Sequence, residues 1–526
     1  MRKNCYITLF FSLVCLLLCQ QAFAGNPLYM NPDGTPLVWD TTTPIKYKVD
    51  AQGLGKLSFE QSLKLVQESL AVWESVPGTG IKFEYIGTTE EAITINNWEE
   101  IAANHVYAEG YGVIPANTTD SQVEHYLIIG FDNTGEIITA KGSGGASGVA
   151  SMTGVAGTLE NPEYIISGHL FLNGLFFNGR EDDGKDLELI DFMAVLVHEL
   201  GHALGLDHNL FHYEMYSRII NGEYDPSYAR YLPTMFPRFI KTTGQHVITL
   251  NPDDIATLKW LYGAEDFYTI SGDVFDTAGN PKDTLLVTAR DTSSSLCNAY
   301  AQATSVTCSQ MNSLSSGEGF NFYNGKYCVD DDMLGSYVIP VLDNGAYSID
   351  VGEIPTPFAS SISKFGSKIQ QITGGAEFYN VGDGITEDPY MYDEVYMDGA
   401  DLEDINIMLA SSVPSSGELE RIDFTYFEES DSFGLLDDGD CPEQSFYDVD
   451  EVVYGVSAPV DSANTSQQAL TWPGCSLRGG HTTALMTSSS PGLNLACAHS
   501  LILALMFGIL LVARRAAVSP VAERGS

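Results

Sequence analysis

The chain has 526 residues, 44% of them hydrophobic, which is long for one ordinary domain and apolar enough for sizeable cores. It carries 69 acidic and 25 basic side chains, a net charge of -44. Such a surface repels phosphate backbones and excludes nucleic-acid binding, while its carboxylates favour solubility and suit Ca²⁺.

The first 24 residues have the layout of a secretory signal peptide. Arg2 and Lys3 precede an apolar run from Tyr6 to Cys19, and Ala22, Phe23 and Ala24 set cleavage before Gly25. The run is short for a membrane anchor.

Residues 25–266 read as one α+β unit. Residues 44–50 alternate as a strand, and Ser58 and Gln61 stand in capping-box positions before a helix. Phe59, Leu63, Val66, Leu70 and Trp73 share one face of that helix. Residues 81–87, 125–131 and 163–174 read as strands, and 142–157 as a Gly/Ser-rich loop region. A largely apolar helix is expected from an Asp186 N-cap to about Leu204. Residues 250–263 read as a closing helix, with Asn251 as cap, Pro252 in its first turn and Gly263 at its end.

The apolar helix ends in "HELGHALGLDH", residues 198–208. His198 and His202 are four apart and stack on one helical face. Gly205 lets the helix stop and turn, so that His208 can return to the same point. Three neutral nitrogens leave a fourth position for water, the layout of a catalytic zinc site. Glu199, beside the first histidine, can move that water's proton. Requiring Gly205 and His208 besides the HExxH core lowers the odds of coincidence about five-hundredfold at this chain's own composition. Burying three histidines in so apolar a segment without a partner is costly.

Residues 267–412 change texture to short strands and turns, the pattern of an all-β sandwich, with no helical periodicity before residues 403–409. Residues 413–494 are rich in Ser, Gly, Asp and Pro and read as an acidic stalk, partly folded around "YDVDEVVYGV". In residues 495–526 an apolar stretch of spanning length runs into Arg514 and Arg515, a transmembrane or sorting segment with its arginines cytoplasmic. Between the two ends stand Cys297, Cys308, Cys328, Cys441 and Cys475. Export permits disulfides, with Cys297–Cys308 and Cys441–Cys475 as candidate pairs and one cysteine left over. Acidic clusters at 181–186, 398–404 and 437–440 offer Ca²⁺ ligands, but none has full EF-hand spacing, and a solvated loop is the simpler reading of each.

The histidine motif resembles the zinc signature of the metzincin proteases, and within them the matrixins. The resemblance covers about residues 40–263 and implies a twisted mixed sheet with long helices, catalytic Zn²⁺ on His198, His202 and His208, and Glu199 as catalytic base and acid. It also implies a methionine turn, for which "YLPTMFP" offers Met235 as the floor beneath the histidines. Pro237, where astacin- and serralysin-like relatives have a tyrosine ligand, speaks against such a ligand here. The stretch from His208 to Met235 is longer than the compact matrixin connection and brings in His212 as a lesser rival ligand. No cysteine-switch motif precedes the unit, and latency through a long propeptide is not expected. The second unit is similar in texture to carboxypeptidase regulatory-like modules, through "ISGDVFDTAGNP", "LLVTA" and "NGAYSIDV".

The expected function is therefore a secreted or envelope-tethered zinc endopeptidase acting on proteins or peptides. The alternative is a surface adhesion or binding protein with a vestigial protease-like domain. The sequence gives no oligomeric state.

Overall fold

The structure is a computed structural model that describes residues 27–28, 35–98, 101, 113–114, 126–141, 151–158, 164–180, 186–241, 243–305, 331–354, 377–381, 392–409 and 453. The signal peptide, nearly all of 413–494, and the apolar tail lie outside the described residues. The chain divides into two compact units, Met1–Gln468 and Ala469–Ser526, and every described residue belongs to the first.

A seven-stranded sheet organises the N-terminal part. Its strands are β1 (Val38–Trp39), β2 (Ile45–Val49), β3 (Phe83–Thr88), β4 (Val113–Ile114), β5 (Leu127–Asp132), β6 (Ser151–Thr158) and β7 (Tyr164–Asn173). The order is β3-β2-β5-β7-β6-β4, with β1 beside β7. All pairs are parallel except β6 with β7. β5 is buried along its whole length because both its faces are covered. Leu127, Ile129 and Phe131 enter the main core, and Tyr126 and Ile128 a smaller one with Trp98 and Ile138. β6 falls in the region read as a Gly/Ser loop. Its Gly154, Ala156 and Gly157 break the alternation that marks a strand, and the ladder with β7 decides its form instead.

Helix α1 (Phe59–Glu74) opens on the expected capping box of Ser58 and Gln61. It buries Ser62, Leu65, Val66, Ser69, Leu70 and Trp73, a face turned slightly from the expected one, with Phe59 and Leu63 half-buried at its margin. After the short helix α2 (Glu136–Lys141), helix α3 (Leu189–Ala203) carries the histidine motif. Glu188 is its N-cap, without a side-chain bond, in place of the expected Asp186. The Asp186 carboxylate instead accepts the N–H groups of Asn178 and Gly179, at 3.0 and 2.8 Å, and closes the preceding turn.

Between the motif and the closing helix lie α4 (Tyr213–Ile220), a 3₁₀ turn (Pro226–Tyr231) and one helical turn (Gly244–Val247). Helix α5 (Pro252–Leu261) follows with the expected Asn251 cap, and Gly263 takes φ +68° just beyond it.

The described part of the C-terminal region is β-rich. A five-stranded sheet orders β10 (Ala299–Ala303), β9 (Leu285–Asp291), β12 (Gly345–Glu353) and β13 (Glu377–Phe378), with β14 (Val395–Met397) also on β12. A three-stranded sheet orders β11 (Ser336–Val341), β8 (Tyr268–Phe275) and β15 (Ile407–Met408). Successive strands β8 and β9 enter different sheets, and both sheets line one core of Ile270, Val287, Ile339, Ile349 and Ile407. Residues 403–409 contain no helix: Asp404 takes φ +61°, and Ile407–Met408 form β15, parallel to β8. Cys297 is disulfide-bonded to a partner outside the described residues.

The long connection after His208 is a packing element. Leu210, Phe211, Met215, Ile219 and Phe236 share a buried cluster with Leu286, Ala299, Ala301 and Ala303 of the β-rich region. The alternate alanines of β10 present a flat face that admits bulky side chains closely. Among the described residues no helix is long and apolar enough to cross a membrane.

Candidate metal centre

The motif helix is held by three side-chain hydrogen bonds. Beneath it, the Trp73 indole N–H donates to the Val197 carbonyl at 2.8 Å. At its C-terminal end, Trp39 Nε1 and the Tyr262 hydroxyl donate to the carbonyls of Ala203 and Leu204, at 2.7 and 2.8 Å. These bonds use carbonyls that a helix end otherwise leaves unpaired. Gly205, at φ +97°, then reverses the chain. Leu206 N–H reaches the Gly201 carbonyl and Gly205 N–H the His202 carbonyl, both at 3.0 Å, a Schellman closure. That turn brings His208 back to the helix.

The three predicted histidines converge, with one ring nitrogen of each within 4.8 Å of the other two. His208 Nε2 lies 3.0 Å from His202 Nε2 and 3.3 Å from His198 Nε2. The opposite nitrogens of the helical pair are committed elsewhere. His198 Nδ1 donates to the Thr234 carbonyl and His202 Nδ1 to the Leu206 carbonyl, each at 2.7 Å. A neutral imidazole has one N–H, so Nε2 of both His198 and His202 presents a lone pair to the common point. His208 can supply a proton to only one of them at a time. His202 is buried and its pKa is pushed down to about 3, by burial first and by His198 second, so it is neutral as a metal ligand must be.

A cation resolves this convergence of acceptors. Zn–N bonds of about 2.0–2.1 Å in a tetrahedron put ligand nitrogens about 3.3–3.4 Å apart, close to the spacing seen here. The donor set and its spacing therefore fit zinc. Glu199 lies between the two helical histidines in sequence, 9% exposed.

Met235 is 1% exposed and packs under the motif helix. A Cβ at Gly201 would fall 2.3 Å from its Sδ and 2.8 Å from Trp73 Cζ2, which explains a glycine inside the helix. The turn bearing Met235 is fixed by Asp254 of α5, whose carboxylate accepts Thr234 N–H at 2.7 Å and Met235 N–H at 3.1 Å. Thr234 in turn presents the carbonyl that orients His198. Burial pushes the Asp254 carboxyl up to about 6 against the pull of these bonds. Sequence reasoning missed Asp254. Its signal was the N-x-x-D spacing from Asn251, which reads only as a helix cap.

His212 stands apart from the three histidines. Its Nε2 faces the Leu296 carbonyl at 3.1 Å and its Nδ1 the Arg290 guanidinium at 3.5 Å, inside the contact with the β-rich region. Burial, then the Arg290 charge, hold its pKa well below the ordinary value. Of the acidic clusters, 398–404 is the one fully described, and no three of its carboxylates converge; Asp401 instead accepts Thr269 N–H at 2.8 Å.

Residues 38–224 match the family model of the matrixins. The match takes in Glu199 and all three histidines and ends before Met235. The chain thus carries a matrixin-like metallopeptidase domain within those bounds. No curated protein matches the chain.

Proposed function

We propose that this chain is an exported zinc endopeptidase acting on protein or peptide substrates, with zinc on His198, His202 and His208. The observation that carries the reading is the convergence of three Nε2 atoms while two Nδ1 atoms are held by carbonyls. When bound, zinc supplies Lewis acidity, polarising a carbonyl and bringing the pKa of water towards about 7. The chain's own residues do the rest. Glu199 takes a proton from the attacking water and delivers it to the departing amine nitrogen. Thr234 and Leu206 carbonyls hold the imidazole tautomers, and Met235 forms an apolar floor.

In this reading residues 1–24 are removed and 25–266 form the catalytic domain. Residues 267–412 form a β-sandwich of carboxypeptidase regulatory-like type, 413–494 a stalk, and 495–526 tether or release the protein at the envelope. The sequence layout of both ends supports export.

The test uses the full chain beside Glu199→Gln, with bound zinc and casein cleavage both measured. The expected result is about one zinc per chain in both proteins and cleavage lost in the variant and in chelator. Equal cleavage by the variant would refute Glu199 as base. Zinc without turnover in the wild type would favour the binding-protein alternative.

A further inference from the structure

His208 is the ligand that no helix holds. It lies beyond the Gly205 turn, and its position depends on what fixes the backbone after it. That backbone is fixed by Asn209, 2% exposed. Asn209 N–H donates to the Met235 carbonyl at 3.0 Å, tying it to the methionine turn. Its side-chain Nδ2 donates to Asp253 Oδ2 at 2.7 Å and to the Ala301 carbonyl at 2.9 Å. Asp253 Oδ1 accepts the Ala301 N–H at 2.9 Å.

Ala301 is the middle residue of β10, which ends the order of its sheet among the described residues. Its outward N–H and C=O have no further strand to pair with. They are taken instead by one carboxylate oxygen and one amide hydrogen from the catalytic part. Both Asn209 amide hydrogens, both Asp253 oxygens and both Ala301 backbone groups are used, so the ring is closed and buried. Asp253 and Asp254 are consecutive on the first turn of α5. One grips β10 and Asn209, the other the turn that orients His198 through Thr234.

We propose that the β-rich region is a working part of the metal centre, with strand β10, through Asp253 and Asn209, fixing the backbone that carries His208. Asn209 and Asp253 are positioning residues. The proposal rests on the three histidines being the metal ligands. It predicts that loss of the ring is read at the metal, beyond what loss of apolar contact between the two regions does.

The experiment loads full-length protein with Co²⁺. It measures the visible spectrum, the Kd by chelator competition, and the urea midpoint of the metal-free form. Asn209→Ala removes the ring. Ile219→Ala, in the same shared cluster, removes only apolar contact. Asn209→Ala is expected to raise Kd on the order of tenfold or more and to change the spectrum. Ile219→Ala is expected to lower the midpoint while leaving both unchanged. If Asn209→Ala does not fold, Asn209→Ser, which keeps one donor, is expected to give a smaller shift of the same kind. Wild-type spectrum and affinity in the folded Asn209 variant, or an equal change in Ile219→Ala, would overturn the proposal. A wild-type protein that takes up no Co²⁺ would instead overturn the metal reading beneath it.

Discussion

Replacing Asp254 by Asn separates two effects that nearly cancel at neutral pH. Asp254 Oδ2 accepts Thr234 N–H at 2.7 Å and Asn251 N–H at 3.1 Å, while Oδ1 accepts Met235 N–H at 3.1 Å. An Asn that keeps its oxygen at the two-bond side turns an NH₂ towards Met235 N–H, leaving that donor unpaired at about 1–3 kcal/mol. Against this, burial raises the Asp254 pKa from 3.8 to about 6, so its charged form costs the fold about 3 kcal/mol at neutral pH. The stability change at about pH 7 is therefore expected to lie between none and a gain of about 2 kcal/mol. The pH dependence distinguishes them. In the wild type the folded state keeps a proton that the unfolded state has already lost. The stabilisation from Asp254 is thus full below about pH 4 and is lost as pH rises through about 6. The Asn variant has no such proton, so its stability relative to wild type should rise by about 2–3 kcal/mol from about pH 4 to about pH 7. Urea unfolding of both metal-free proteins across that range gives the difference. A difference that stays flat with pH would refute burial as the dominant influence on this carboxylate.

Gly201→Ala should destabilise by about 1–3 kcal/mol despite the better helix former, because the new Cβ overlaps Met235 Sδ. Thermal unfolding measures this, and an unchanged Tm would mean that the Met235 packing is loose. Trp73→Phe should cost about 2 kcal/mol or more, through the lost bond to Val197 and the void left beneath the motif helix; urea titration checks it. Zinc at a hundredfold above its Kd should raise wild-type stability by about 2.7 kcal/mol and leave His202→Ala unmoved, as read by denaturation with and without chelator.

The candidate ligands were legible because all three lie within eleven residues and their geometry is local: one helical face, one glycine turn. Trp73, the Ser58 cap and the Asn251 cap were legible for the same reason. Asp254 and Asn209 were not, since their partners lie 20 and 92 residues away and an acidic or amide side chain carries no mark of them in the local sequence. The segment after His208 lacked a readable period because its apolar side chains answer to the alanine face of β10. β6 failed for a related cause: its small residues take their form from β7.

The shared cluster of residues 210–236 with β9 and β10 also has a consequence in time. On emerging chain, the histidine motif is complete before the strand that covers its flank has been made. Asn209 must wait for Ala301, 92 residues later, and contacts of such separation close late in folding. Until then Leu210, Phe211 and Met215 have only the partners of their own segment, such as Ile219, Tyr231 and Phe236, and lack the β9 and β10 side of the cluster. The matrixin-like domain therefore closes this flank only after residues beyond its own bounds have been made.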